Sequence, residues 1–423
     1  MNIFVAVVSL LLSGFVVYRI MQRQSFPRQP FLWLALGLKI LAGISLGLVY
    51  TYYYEVGDTF GFFEDARKLS ALFSHQAFEY CRFLWSGDGS FPVYDQLNNI
   101  QARSLFLVKV VSVVGLFAMD NYWIISFYFS LISFFCALYL ISKIAIYFPR
   151  QAYAAMVAFL FVPSVLFWGS GIVKETLALA SLFFLSGFYL VIVFRATPKI
   201  WEWLVVILAA FFLWSLKYYW AAIFFPSSIS TVLVYKLLIP RFKVLTAAQS
   251  IAALVAIFLT LGVGASFIHP NFYLTRFLQV IADNHDAFVA AYAGGPFVHF
   301  TNLRPSWPSM LANSPWALIS GLYRPFLGEG TTIFQGLMAI ENLFLFMLTL
   351  YNLRYATAIY RSPHRLMIIS ALLFIMLLAI FLTLSTPNFG TLSRYRIGYL
   401  PFLYFLLLCK FPFAQLKARL KLN

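Results

Sequence analysis

The chain has 423 residues, of which 62% are hydrophobic, 20% aromatic and only 10% charged. A soluble domain carries about 25% charged residues, so this composition excludes an ordinary water-soluble enzyme and points to a polytopic α-helical membrane protein. The net charge of +16 does not signal a nucleic-acid partner, because the basic residues cluster in short turns between apolar runs, where they set orientation.

Apolar runs of the ~20 residues that cross a bilayer as a helix recur along the chain. Residues 3–20, 31–54, 122–145, 152–170, 175–194, 201–216, 218–238, 245–267, 334–353, 366–385 and 396–412 read as spans, about eleven in all. The first run lacks a basic leader and is followed by Arg19, Arg23 and Arg28. That is the pattern of an uncleaved span with its N-terminus outside, not of a signal peptide. The inner turns then hold Lys143 and Arg150; Arg195 and Lys199; Lys236, Arg241 and Lys243; Arg354, Arg361 and Arg365; and, with the C-terminus inside, Lys410, Lys417, Arg419 and Lys421. Every inner turn is basic, as the positive-inside rule asks. Of the 14 acids, Glu202 falls inside and Glu341 within a span, and the rest fall at the outer face.

The expected fold is therefore all-α: a single transmembrane domain over 1–423, built as a helical bundle. Its outer loop one is 55–121, its large outer loop 268–333 and its last outer loop 385–398. Residues 104–119 are apolar but short and contain Lys109. Counting them as a span would invert every later turn, so they read as an interfacial or re-entrant helix. Shorter outer regions are expected at 163–174 and 217–220.

Outer loop one opens with 52–73, YYYEVGDTFGFFEDARKLSALF, which holds Glu55, Asp58, Glu64 and Asp65. After Gly57 the spacing of Phe63, Ala66, Leu69, Ser70 and Phe73 predicts an amphipathic helix lying on the bilayer. Asp58 suits its N-cap. The competing reading of Asp58 is a catalytic carboxylate at the membrane–water boundary.

The later outer regions carry cations. Lys174 begins a helix after a Gly-Ser-Gly turn, where free N–H groups favour anions. Arg324 lies in YRPF, and Arg394 and Arg396 flank Tyr395. Together they read as a phosphate site converging with Asp58, with arginine offering forked contacts. Glu64, Asp65, Lys217 and Glu329 are secondary candidates. Lys39 and Glu341 lie inside spans and are expected to pair. Cys81, Cys136 and Cys409 have no disulfide or metal-ligand spacing. His269, His285 and His299 read as loop residues. No metal site or cofactor is indicated, and a divalent cation is left open. No phosphate-cradling loop, HExxH or GxSxG elbow occurs.

These elements resemble the GT-C glycosyltransferases, integral membrane enzymes that use polyprenyl-phosphate-linked sugars. EVGD, ending at Asp58, stands where that family carries an acidic motif in its first outer loop. GDTFGFFEDA is similar to its Gly-Asp-Thr and aromatic helix, and PSVLFWGSGIVKE, YRPF and NFGTLSRYR are similar to its later outer-loop elements. The resemblance implies sugar transfer from a polyprenyl-phosphate donor to a glycan, lipid or protein acceptor, at the outer face of a bacterial inner membrane. Asp58 would be the general base with Glu55 assisting, and Lys174, Arg324, Arg394 and Arg396 would bind phosphate. The alternatives are an O-antigen-type polysaccharide polymerase or ligase relying on arginines, and a lipid-linked glycan transporter relying on Lys39 and Glu341.

Overall fold

The computed structural model describes residues 3–24, 26, 29–54, 57–87, 89–194, 196–242, 245–273, 275–291, 295–411 and 413. Glu55 and the basic residues Arg28, Arg195, Lys243, Lys417, Arg419 and Lys421 lie outside the described residues. Among those described, the chain is helical, with one isolated bridge, Phe297 to Asn388, in place of any sheet. Seven helices among the described residues are long and apolar enough to cross a bilayer. Helices satisfy every backbone group internally, as hydrocarbon requires, and the chain is an integral membrane protein.

It forms two compact units. Unit 1 is Met1–Ala152, Val165–Gly187 and Trp201–Tyr218; unit 2 is Tyr153–Ser164, Phe188–Ile200 and Tyr219–Asn423. The chain runs through α1 (Ile3–Gln22), α2 (Gln29–Tyr52), α3 (Asp58–His75), α4 (Ala77–Trp85), α5 (Ala102–Ala118) and α6 (Tyr122–Tyr147). Then come α7 (Ala152–Leu160), α8 (Pro163–Trp168), α9 (Lys174–Val193) and α10 (Ile200–Leu233).

In unit 1, α2 and α6 pack closely. A Cβ at Gly43 would stand 2.7 Å from Ser130 Oγ, and one at Gly47 would stand 2.7 Å from the Trp123 ring. Helix α3 starts one residue earlier than the capping expectation. Gly57 is the N-cap and Asp58 the first helical residue. The reason is steric: a Cβ at Gly57 would stand 2.1 Å from the Tyr50 ring. The buried face of α3 is also rotated. Ala66, Leu69 and Ser70 are buried as expected, but Thr59, Phe62 and Asp65 join them, while Phe73 is exposed. The helix packs against α5, so its inner face answers to protein as well as to the bilayer.

Two differences concern the expected spans. Residues 152–170 form two short helices, α7 and α8, because Pro163 disfavours helix at the residue before it. Residues 201–216 and 218–238 join in one apolar run, Ile200–Arg241, of 42 residues. At ~1.5 Å per residue this is about twice the bilayer's ~30 Å hydrocarbon thickness. Lys217 breaks it, with φ −143° and ψ 62°.

A third difference concerns 163–174, expected as an outer turn. The turn after α8 packs beside the middle of α2. A Cβ at Gly171, whose φ is +71°, would stand 2.9 Å from Leu46, and the Gly171 amide donates to Ser130 Oγ at 3.2 Å. Irregular backbone at that depth is tolerated only when protein covers it.

Unit 2 continues with α11 (Ile239–Arg241), α12 (Ala247–Ala265), α13 (Phe277–Ala291), α14 (Trp307–Tyr323) and α15 (Ile333–Leu353). It ends with α16 (Ala356–Arg361), α17 (Arg365–Ser385), α18 (Phe389–Tyr395) and α19 (Leu400–Leu408). The region 268–333 is not an open loop. Its α13 and α14 pack on the end of α17 through Leu278, Ile281, Met310, Ala317 and Leu384. Most of 385–398 is likewise buried. The expected last span, 396–412, contains only the nine-residue α19, because Arg396–Gly398 forms a separate 3₁₀ turn.

Candidate functional site

The first turn of α3 is anchored on α6. Thr59 and Tyr122 share a hydroxyl–hydroxyl bond of 2.8 Å, and Phe60 stacks on Tyr122 with ring centroids 4.4 Å apart. This holds Asp58 exposed at the positive end of the helix, where its charge is favoured. Four residues on, on the same face, lies Phe62. The Lys174 ammonium sits 5.0 Å from the centre of the Phe62 ring and donates to Ser104 Oγ of α5 at 3.0 Å. The lysine from α9 is thus fixed one helical turn from Asp58, inside unit 1.

Other candidates in unit 1 are structural. Asp65 is fully buried and accepts from the amides of Asn98 and Asn99 at 3.0 and 2.8 Å, from Asn99 Nδ2 at 2.8 Å and from Lys68. Burial raises its pKa, but the Asn99, Asn98 and Lys68 hydrogen bonds outweigh this and hold it below the usual range. Asp65 therefore ties the 94–99 segment to α3 instead of reaching a substrate. Glu64 is exposed on α3. Lys217, expected at an outer turn, is buried, with Nζ 2.5 Å from Glu175 Oε1. A buried cation needs such a partner, and the secondary candidate Lys217 has it in Glu175. Lys143 and Tyr139 hold Glu202 at 2.9 and 2.7 Å.

In unit 2, Arg396 is 1% exposed. Its Nη1 donates to Asn342 Oδ1 at 2.6 Å, and its Nη2 stands 3.8 Å from Glu341 Oε1. Its Nε and Nη2 have no hydrogen-bond acceptor among the described residues. Glu341 accepts from Ser164 N and Oγ at 3.0 and 2.6 Å. Glu341, expected as the partner of Lys39, therefore has its partners within unit 2. Arg394 is buried on α18.

Arg324 meets Glu329 through both Nε and Nη2, at 3.0 and 2.9 Å, and lies over Phe389. Its guanidinium, expected to bind phosphate, is engaged by the carboxylate of Glu329, a secondary candidate. The peptide Arg324–Pro325 is cis. Asn342 Nδ2 donates to Pro325 O at 3.0 Å, so Arg324 and Arg396 belong to one neighbourhood.

Sequence reasoning missed Glu175, Asn342, Ser164 and Ser104. Glu175 did carry a signal, as a second charge beside Lys174 in an otherwise apolar stretch. Asn342, Ser164 and Ser104 carried none, because a lone polar residue in a span does not reveal its partner. Among the described residues no group of three or more His, Cys, Asp or Glu is placed to hold a metal ion. No family model, no curated protein and no solved structure matches this chain.

Proposed function

We propose that the protein is a membrane-embedded glycosyltransferase. It moves a sugar from a polyprenyl-phosphate-linked donor to a glycan, lipid or protein acceptor at the non-cytoplasmic face of a bacterial inner membrane. The reading takes about eleven spans, the N-terminus outside and the C-terminus inside. The observation that carries it is Lys174 held on Phe62, one turn from the exposed Asp58. An acid and a cation 116 positions apart in sequence are both held at the first two turns of α3.

The roles follow from the chemistry. Asp58 takes the proton of the acceptor hydroxyl as that oxygen attacks the sugar's anomeric carbon. The bond to the donor phosphate breaks, and Lys174 stabilises the charge gathering on the departing phosphate.

The test is glycan product formed by membranes carrying Asp58→Asn or Asp58→Ala at matched protein level. Loss of a positioned base lowers the rate about 10²–10⁴-fold, and the amide is expected to be as damaging as alanine. A charge serving only the helix dipole is worth about 0.3–1 kcal/mol and would leave activity near wild type. That outcome removes Asp58 from the mechanism.

A second reading, the arginine-based polymerase or ligase, is favoured by one observation: two nitrogens of the buried Arg396 guanidinium, Nε and Nη2, have no acceptor among the described residues. Under it, Arg396→Lys abolishes product, because an ammonium lacks the planar fork, and Asp58→Asn stays active.

A further inference from the structure

Lys39 is the eleventh of 24 residues in α2, about 15 Å from its first residue at ~1.5 Å per residue. It is 4% exposed. Among the described residues Lys39 forms no ion pair, and Glu175, in the first turn of α9, is paired with Lys217. A cation at such depth without a partner is costly and is a candidate for function.

Its surroundings point to an anion. A Cβ at Gly169 would stand 3.0 Å from Lys39 Nζ, so the ammonium is aimed into the turn that opens α9. That 20-residue helix presents the positive end of its dipole there. In its first turn Thr176 is fully buried, and its hydroxyl has no hydrogen-bond partner among the described residues. The same holds for Ser133 of α6. Helices α2 and α6 run antiparallel, with Gly43 against Ser126 and Ser130, and Gly47 against Tyr122 and Trp123. Lys39, four residues before Gly43, is therefore level with the residues just after Ser130, Ser133 among them. A buried ammonium is thus aimed into the turn before a helix whose first turn carries one unpartnered hydroxyl, with a second at the same level of α6.

Size selects the ligand class. Ser170, Ile172, Val173 and Glu175 around the turn are all fully buried, which leaves no passage for a phosphate carrying a lipid. We propose that unit 1 binds a small dehydrated monovalent anion, of chloride size, between Lys39 and the first turn of α9. The Lys39 ammonium supplies the charge, and the Ser133 and Thr176 hydroxyls donate to the ion. The site is independent of sugar transfer.

The experiment uses the full chain purified in detergent and exchanged into sodium gluconate. Sodium chloride is titrated in at constant ionic strength while thermal unfolding is followed. A ligand that binds only the folded state raises its stability with concentration. The expected result is a rise of a few degrees for wild type, a smaller rise for Thr176→Val and none for Lys39→Met. Methionine matches the length of the lysine stem, so Lys39→Met is expected to unfold in gluconate at or above the wild-type temperature. Bromide soaked into crystals should give anomalous density beside Lys39. Equal unfolding temperatures for wild type in chloride and gluconate would overturn the proposal, as would a chloride response kept by Lys39→Met.

Discussion

Arg324 and Glu329 stand five residues apart and close the bend between α14 and α15 head to head, with the Phe326 amide donating to the same carboxylate at 2.8 Å. Burial raises the Glu329 pKa, but the Arg324 hydrogen bonds, the Phe326 amide and the Arg324 charge outweigh it, and the carboxyl is held below its ordinary 4.5. A carboxyl depressed in the folded state stabilises when ionised. Its contribution is complete above about pH 4.5 and is lost as pH falls through the lower folded value. The protection of the amides of Arg324 and 326–330 against hydrogen exchange, corrected for the intrinsic pH dependence of exchange, should therefore stay constant down to about pH 4.5 and then fall. Glu329→Gln should exchange faster at pH 7 and lose that pH dependence. This pairing was illegible in the sequence. YRPF and GEG each read as a loop motif, and nothing in their spacing shows that the intervening backbone folds the glutamate back onto the arginine. Asp58 was more legible, because a carboxylate at a turn directly after a span is conspicuous among so few acids.

At the scale of elements, the break in α10 and the start of α9 are one device. Lys217 leaves helical geometry and meets Glu175 in the first turn of α9, both sealed from solvent. Removing one member of such a pair strands a buried charge and costs about 3–5 kcal/mol, while replacing both by well-packed neutral side chains is near neutral. Lys217→Met and Glu175→Gln should each lower unfolding free energy in a denaturant titration by that amount. The double variant should recover at least about 2 kcal/mol of it. Single variants costing under ~1 kcal/mol would show that packing, not the pair, holds the break. The sequence marked Lys217 as a point where two spans divide, since the run is too long for one. It could not show the partner, because a buried ion pair joins residues by fold and not by period. The same limit explains α3. Its helical period was readable, but the turn of its buried face depends on α5, and Phe62 outcompetes Phe73 for the interior.

For the whole molecule, hydrophobic run length made the membrane class and the seven long spans legible. At 152–170 and 396–412 a proline and a buried arginine divide the apolar run into shorter helices. Orientation rests on charge placement and is open to direct measurement. Ser90, Asn284 and Arg241 are all exposed, so cysteines there can react. With the N-terminus outside, a membrane-impermeant maleimide should label Ser90→Cys and Asn284→Cys in intact cells and leave Arg241→Cys unlabelled until the membrane is opened. The reverse pattern would invert the orientation and place Asp58 in the cytoplasm. The turn of residues 169–173, lodged against Lys39–Leu46 of α2 and Ser130 of α6, bears on how the chain enters the bilayer during synthesis. Its irregular backbone finds its covering only in helices made earlier, and lipid offers no substitute. The segment is therefore a late arrival in biogenesis: it leaves the insertion channel together with α9, as a hairpin, onto a seat that α2 and α6 have already built.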